Sequence, residues 1–346
     1  MEDTRTRFII VATQRSGTRF LETTLKSHPH ISVSGERLLY GNPNNFYDYW
    51  LQHIGRDPVH IRYDHAARLF LQFVDSYYDQ RFAQGARAVG FDIKYNQFNT
   101  LGGMMKLLQS RPIKVIHLVR ANILNTQLSK ELNYRKTVLG RKAHGTEHVA
   151  PQRIHIDVAD FLTKVKALDE QIADFRQQLN SRFDTLEIGY EEMTASGHES
   201  HVAPEVLQRV LAFLGVDSAV PQLESPLKKT NPRSQRDKVE NYDEFLAAVL
   251  ATPWAHHLNS FPDGCPPAQR LAEGERQFAA GQLQMAEETF RALAQSFPHY
   301  AHAANDLGVC LHQEGRGEEA RQWLQRAAAL EPGNEVYAQN LRLLGQ

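Results

Sequence analysis

Cysteine is nearly absent from this 346-residue chain: there are two, Cys265 and Cys310, far apart and in no metal-ligand spacing. That excludes a disulfide framework and a zinc site, and it fits a reducing compartment, so a cytoplasmic location is expected. No apolar run approaches the roughly 18 residues of a membrane span, and the leading run, Phe8 to Ala12, is too short for a signal-peptide core. An excess of charge of either sign is lacking too. Lysine plus arginine (39) offset aspartate plus glutamate (40) to a formal charge of -1, which argues against a nucleic-acid binder steered by global charge. Any anion site must therefore be local. What is present, 42% hydrophobic and 23% charged residues over this length, describes a globular protein of about two domains.

The C-terminal part repeats. An offset of 34 pairs Gly274 with Gly308, Gly281 with Gly315, Ala286 with Ala320, Phe290 with Leu324 and Pro298 with Pro332. Small residues let two antiparallel helices approach, the bulky one fills the groove between them, and the proline ends each unit. The pattern resembles the tetratricopeptide repeat, with Leu307-Gly308, Ala320, Leu324, Ala327 and Pro332 as the better copy and Gln277 where the first copy lacks an aromatic. Residues 335 to 344 are expected to cap the array, with Leu341 in the leucine position. A Pro-rich junction from Ser260 to Pro267 punctuates the chain upstream, so the expected division is 1–262 and 263–346.

Before that junction, strand-like runs (Phe8 to Ala12, Ala88 to Ile93, Lys114 to Val119, Thr185 to Ile188) alternate with helix-like segments (Phe20 to His28, Ala66 to Tyr77, Val158 to Leu179). The alternation predicts an α/β fold, a central parallel sheet flanked by helices, with a small all-α module after it. Two aperiodic stretches, Tyr40 to Tyr63 and Asn133 to Ile156, read as loops over a site.

The first strand runs into Thr13-Gln14-Arg15-Ser16-Gly17-Thr18-Arg19 and then an amphipathic helix with Phe20, Leu21, Thr24 and Leu25 as inward positions. A glycine turn at a helix N-terminus offers backbone N–H groups and the positive dipole end to an anion. A standard P-loop would need glycine at Ala12, lysine at Thr18 and a hydroxyl at Arg19, so the groups that reach a terminal phosphate and hold magnesium are missing. Arg15 and Arg19 flank the glycine instead, which points to metal-independent handling of an anion. A second strand, Lys114 to Val119, ends at Arg120, with Ser129 in the helix-like stretch 122–132. At the carboxyl end of a central strand Arg120 could grip a second phosphate, helped by the Ser129 hydroxyl. Nine Lys/Arg against one acid, Glu131, lie between Lys106 and Lys142, a local excess that suits a polyanion, with Lys136, Arg141 and Lys142 also readable as a solvated face.

The strand-(K/R)-S-G-T-helix unit, the Arg120/Ser129 pair after a later strand, and the Tyr190-Glu-Glu-Met segment together resemble the cytosolic and bacterial sulfotransferases over residues 7 to about 258. The resemblance implies a P-loop-like fold and 3′-phosphoadenosine 5′-phosphosulfate (PAPS) as donor. It assigns Arg15, Ser16, Gly17, Thr18 and Arg19 to the 5′-phosphosulfate, Arg120 and Ser129 to the 3′-phosphate, and Tyr190 to the adenine. The tail Leu227 to Glu244, with Lys229 and Arg233, is similar to the segment that closes over the nucleotide. Arginine in place of the loop lysine, the longer Arg-to-Ser spacing and the lack of an Arg-Lys-Gly triplet near Lys228 are similar to the bacterial branch acting on carbohydrates and nodulation factors.

Transfer to a hydroxyl or amine needs a base near the acceptor. In Ser34-Gly35-Glu36 a carboxylate returns toward the loop, and the resemblance implies Glu36 as that base; a turn carboxylate solvated at the strand end, or a partner of Arg37, is the plainer reading. Arg15 would neutralise the leaving group, and Lys94, at another strand end, would assist it or snorkel. His28 and His30 surround Pro29, a helix stop, and His117 sits within a strand as a core histidine with a backbone partner. The expected acceptor is a small metabolite or glycan, with no nucleic acid, no metal, and a protein partner or a second copy for the repeats. A nucleotide kinase, or a scaffold with a decayed enzyme domain, are the competing readings.

Overall fold

Phe8 to Ala12 form an unbroken apolar run, and every one of these residues is fully buried, as a strand covered on both faces requires. The strand is β1 (Thr6–Ala12). The structure, a computed structural model, describes residues 5–42, 44–53, 63–138, 153–195, 201–217, 223, 225, 235–258, 267–297 and 300–343. By compactness it divides into two units, residues 1–121 with 167–231 and residues 122–166 with 232–346.

In the first unit β1 is the middle of a five-stranded sheet ordered β2-β3-β1-β4-β5, with β2 Ile31–Ser34, β3 Ala88–Lys94, β4 Ile113–Val119 and β5 Thr185–Gly189. Every pairing is parallel. The short strand β2 was not among the four runs expected from the sequence. Its four residues alternate Ile-Ser-Val-Ser at the sheet edge, too brief and too mixed a pattern to stand out. One face is covered by α1 (Thr18–Lys26) and α8 (Pro204–Leu214), whose Leu21, Leu25, Val206, Val210 and Leu214 meet Phe8, Ile10 and Ile116. Of the expected inward positions of α1, Leu21, Thr24 and Leu25 are buried and Phe20 is half-buried. Phe8 is paired in register with Gly90, and a Cβ on Gly90 would lie 2.4 Å from the Phe8 ring, so the glycine makes room for its neighbour. Helix α3 (Tyr63–Ala83) is tied to the sheet by its tyrosines: Tyr78 donates to the Phe8 carbonyl at 2.9 Å and Tyr77 to that of Gly90 at 2.5 Å.

Both stretches read as loops contain helix. Within 40–63, α2 (Phe46–His53) is started by the Asn45 side chain, which accepts from the Asp48 N–H at 3.0 Å, and anchored by Phe46 against Phe70 and Phe73. Within 133–156, α5 (Ile123–Val138) continues beyond Leu132, and Arg135 near its end donates to the His155 carbonyl. The remaining short helices of the first unit are α4 (Met104–Gln109) and α7 (Tyr190–Met193), while α6 (Val158–Asn180) is divided between the units at residue 167.

In the second unit, residues 153–156 pair with 238–241 through a parallel bridge at Ile154 and Val239, and α9 (Tyr242–Leu250) packs Phe245 on Phe161. The C-terminal helices are α10 (Pro267–Ala279), α11 (Leu283–Ser296), α12 (Ala301–Gln313), α13 (Gly317–Leu330) and α14 (Glu335–Leu343). The offset of 34 has a structural cause. A Cβ on Gly274 would lie 2.5 Å from Phe290, and one on Gly308 would lie 2.7 Å from Leu324, so each helix pair closes over a missing side chain. In α14 the residue that seals the array is Tyr337, buried against Ala301, Ala304 and Ala327, while Leu341 is half-buried. Cys310 is a free, buried thiol.

Candidate active site

In the first unit the carboxyl ends of β1, β2, β3, β4 and β5 carry most of the expected site residues. After β1 the chain turns sharply: Arg15 has φ 70° and Gly17 φ 89°, two left-handed residues on either side of Ser16. Arginine tolerates that region only at a cost of roughly 1 kcal/mol, so the turn is held by its surroundings. Gly17 has a second reason to be glycine, because a Cβ there would lie 2.5 Å from the Tyr190 ring. Left-handed residues at the start of a helix are the backbone form of an anion nest.

The register explains the next pair. Val119 of β4 is level with Gly189 of β5, so Arg120 and Tyr190 emerge together, and the Arg120 guanidinium lies 4.8 Å from the Tyr190 ring centre. Glu191 accepts from the Ala121 N–H at 2.9 Å and fixes that junction. Arg120 Nη1 reaches the Arg15 carbonyl at 3.4 Å. Burial lowers the affinity of the Arg15 guanidinium for its proton, and the positive charges of Arg120 and Arg19 lower it further. Arg120 is shifted down by burial as well, with Tyr190 and Glu191 opposing. Cations crowded in this way are relieved by an anion. Two buried polar atoms without a hydrogen-bond partner, Ser16 Oγ and Arg120 Nε, fit the same conclusion.

The second element of the site comes from β2 and β3. Lys94 is buried, donating from Nζ to Thr18 Oγ1 at 2.6 Å and to Asp92 Oδ2 at 2.8 Å. It neither snorkels nor stands alone. Beyond β2, Glu36 accepts from Gln97 Nε2 at 2.7 Å. Burial raises the Glu36 carboxyl above its ordinary range; Lys94 pulls it back, Asp92 pushes it up, and the Gln97 hydrogen bond and Arg19 lower it. Arg37 donates to Ser34 Oγ at 2.8 Å, a different role from the carboxylate partner that the sequence suggested.

Arg15, Ser16, Gly17, Thr18, Arg19, Glu36, Lys94, Arg120 and Tyr190 thus gather at the carboxyl end of the sheet. Ser129 lies half-buried on α5 in the second unit. Lys229, Arg233, Arg141 and Lys142 lie outside the described residues, as does the Lys136 side chain. His28 is buried at the end of α1, its ring bonded to the Asp217 carbonyl and the His30 N–H, which makes it part of the helix stop. His117 is buried as expected, but its partners are side chains: Tyr95 at 2.6 Å and Glu187 at 3.0 Å. Although burial pushes Glu187 up, His117 and Arg176 bring it down to about 2. Sequence reasoning passed over Gln97. The signal for Gln97 was its place just past a strand end, in the 3-10 turn Tyr95–Thr100.

Comparison with known proteins bears on both ends of the chain. Residues 271–335 match the tetratricopeptide repeat family. Nodulation protein H of Rhizobium tropici is 26% identical over 252 residues, covering 72% of this chain and 91% of that protein. The sulfotransferase domain from the Synechococcus PCC 7002 olefin synthase superposes with a TM-score of 0.32 at 15% identity, over 66% of this chain and 82% of that one.

Proposed function

We infer that this chain, similar to nodulation protein H and carrying tetratricopeptide repeats at its C-terminus, is a sulfotransferase, an enzyme that transfers a sulfuryl group from PAPS to a hydroxyl or amine of a small metabolite or glycan. The observation that carries the donor reading is the crowd of guanidinium groups, Arg15, Arg19 and Arg120, around a left-handed turn with Ser16 Oγ and Arg120 Nε unpartnered. Such a site fits a ligand with several separate negative charges. PAPS supplies a sulfuryl group on a phosphate leaving group. Arg15, Ser16, Gly17, Thr18 and Arg19 hold its 5′ end, Arg120 and Ser129 its 3′-phosphate, and Tyr190, Lys229 and Arg233 its nucleoside.

Glu36 serves as the general base in this reading. The acceptor oxygen or nitrogen forms its bond to sulfur as the sulfur–oxygen bond to the phosphate breaks, the electron pair leaves on the phosphate, and the acceptor proton passes to Glu36. Charge gathering on the phosphate is met by Arg15 and Arg19. Lys94 supports them by orienting Thr18. No metal is required by this arrangement of charges. The division at residues 262 and 263 separates catalysis from the repeats, which take a protein partner or a second copy.

Calorimetry tests the donor reading. Expected is tight binding of 3′-phosphoadenosine 5′-phosphate without magnesium and weak binding of ATP; a preference for ATP that depends on magnesium would sink it and favour a kinase.

A further inference from the structure

We propose that Gln97 is a positioning residue for Glu36, presenting the carboxylate so that Oε1 is the oxygen that takes the acceptor's proton. The proposal rests on the reading of Glu36 as the base.

The argument begins with an amide whose orientation is determined by its surroundings. Gln97 is buried, and its Oε1 accepts from the backbone N–H of Lys94 at 2.9 Å. Only an oxygen can accept there, so the NH2 group must point the other way, and it meets Glu36 Oε2 at 2.7 Å. The side chain therefore cannot turn over without losing both bonds in a buried setting. With Oε2 engaged as an acceptor, Oε1 is left as the basic oxygen.

The support reaches further back. Lys94, whose N–H orients the amide, holds Thr18 at the start of α1 through Nζ and is itself neutralised by Asp92. One residue thus connects the anion turn to the base: its side chain braces Thr18 and its backbone braces Gln97. A base and a leaving-group cradle must keep a common geometry for in-line transfer, and a displacement of the order of ~1 Å is costly. A buried chain of fixed bonds supplies that rigidity.

The charge balance has a definite sign. The groups facing Glu36 are Lys94 and Asp92 from β3, Arg19 from α1 and the Gln97 amide. Burial raises the carboxyl, while the amide N–H stabilises only the ionised form. Removing the donor therefore moves protonation of Glu36 to higher pH. Gln97→Glu keeps the volume and the acceptor for the Lys94 N–H but, when ionised, also adds a negative charge that raises the Glu36 midpoint by itself; the neutral Gln97→Met, of similar volume, removes the donor without adding charge. Gln97→Leu removes both bonds.

The test is a carbon-detected NMR titration of the full chain labelled at the glutamate carboxyl, with the Glu36 signal assigned by its loss in Glu36→Gln. Expected is a midpoint moved to higher pH in the neutral variants Gln97→Met and Gln97→Leu, with hydrogen-exchange protection of the Lys94 amide kept in Gln97→Glu and lost in Gln97→Leu. A midpoint unmoved in Gln97→Met, a neutral variant of similar volume, would overturn the proposal even if Gln97→Leu fails to fold. The base reading fails separately, if Glu36→Gln transfers label from radiolabelled PAPS to a panel of sugars and phenols at the wild-type rate.

Discussion

Replacing Arg120 with methionine should make the protein more stable and bind nucleotide worse. The guanidinium is largely buried, it bears on the Arg15 cation while Tyr190 and Glu191 offset only part of the cost, and its Nε has no partner. In the ligand-free protein it is a poorly compensated buried cation, and an unbranched apolar side chain of similar length should relieve it by up to about 1 kcal/mol. A bound phosphate would reverse the balance. One charge-assisted contact is worth about 2 kcal/mol, so affinity for 3′-phosphoadenosine 5′-phosphate should fall about 30-fold. The two effects have opposite signs, and that makes the variant informative. A structural arginine, holding the β4 and β5 ends together through Tyr190, would on removal lower stability and leave the remaining anion contacts intact. Calorimetric titration and denaturant unfolding of the ligand-free protein read the two quantities independently. Unchanged affinity together with a loss of more than about 1 kcal/mol in stability would refute the reasoning.

The repeats allow a contrast between two glycines. Gly308→Ala, whose new Cβ would sit 2.7 Å from Leu324, should destabilise the C-terminal helices by about 2 kcal/mol or more, whereas Gly315→Ala, at φ 79° with nothing within 4 Å, should cost only about 1 kcal/mol; urea unfolding followed at Trp323 ranks them. A pH effect follows from His257, which burial and then the neighbouring His256 lower to about 3 from an ordinary 6.5. The folded state holds this ring neutral, so its contribution is complete above pH 6.5 and is lost as pH falls from 6.5 towards 3. His257→Leu should flatten the stability profile in that window, and a slope identical to the wild type would remove the assignment.

The anion turn was legible because its parts are contiguous: an apolar run, a glycine, two arginines and an amphipathic helix lie within 20 residues of one another. The repeats were legible because Gly274 and Gly308 answer to the same local requirement, space for one bulky residue in the following helix. Less visible were the elements with weak periodicity. The edge strand β2 has four residues, and α2 depends on Asn45 and Phe46 more than on any pattern along its length. His117 was recognised as a core residue, yet the histidine alone did not say that Tyr95 and Glu187 would satisfy it, since one is 22 and the other 70 residues away.

By itself, then, the order of residues determined the α/β alternation, the glycine turn with its cations, and the helical repeat, because each is written in local patterns no longer than a single helix pair. Only the tertiary structure decided which strand ends are neighbours. The order β2-β3-β1-β4-β5 sets Arg120 beside Tyr190, brings that ring over Gly17, and places Gln97 against Glu36 across 61 residues of sequence. Parallel strands are joined by long crossovers, so the partners along a sheet edge are chosen by packing and register rather than by proximity in the chain.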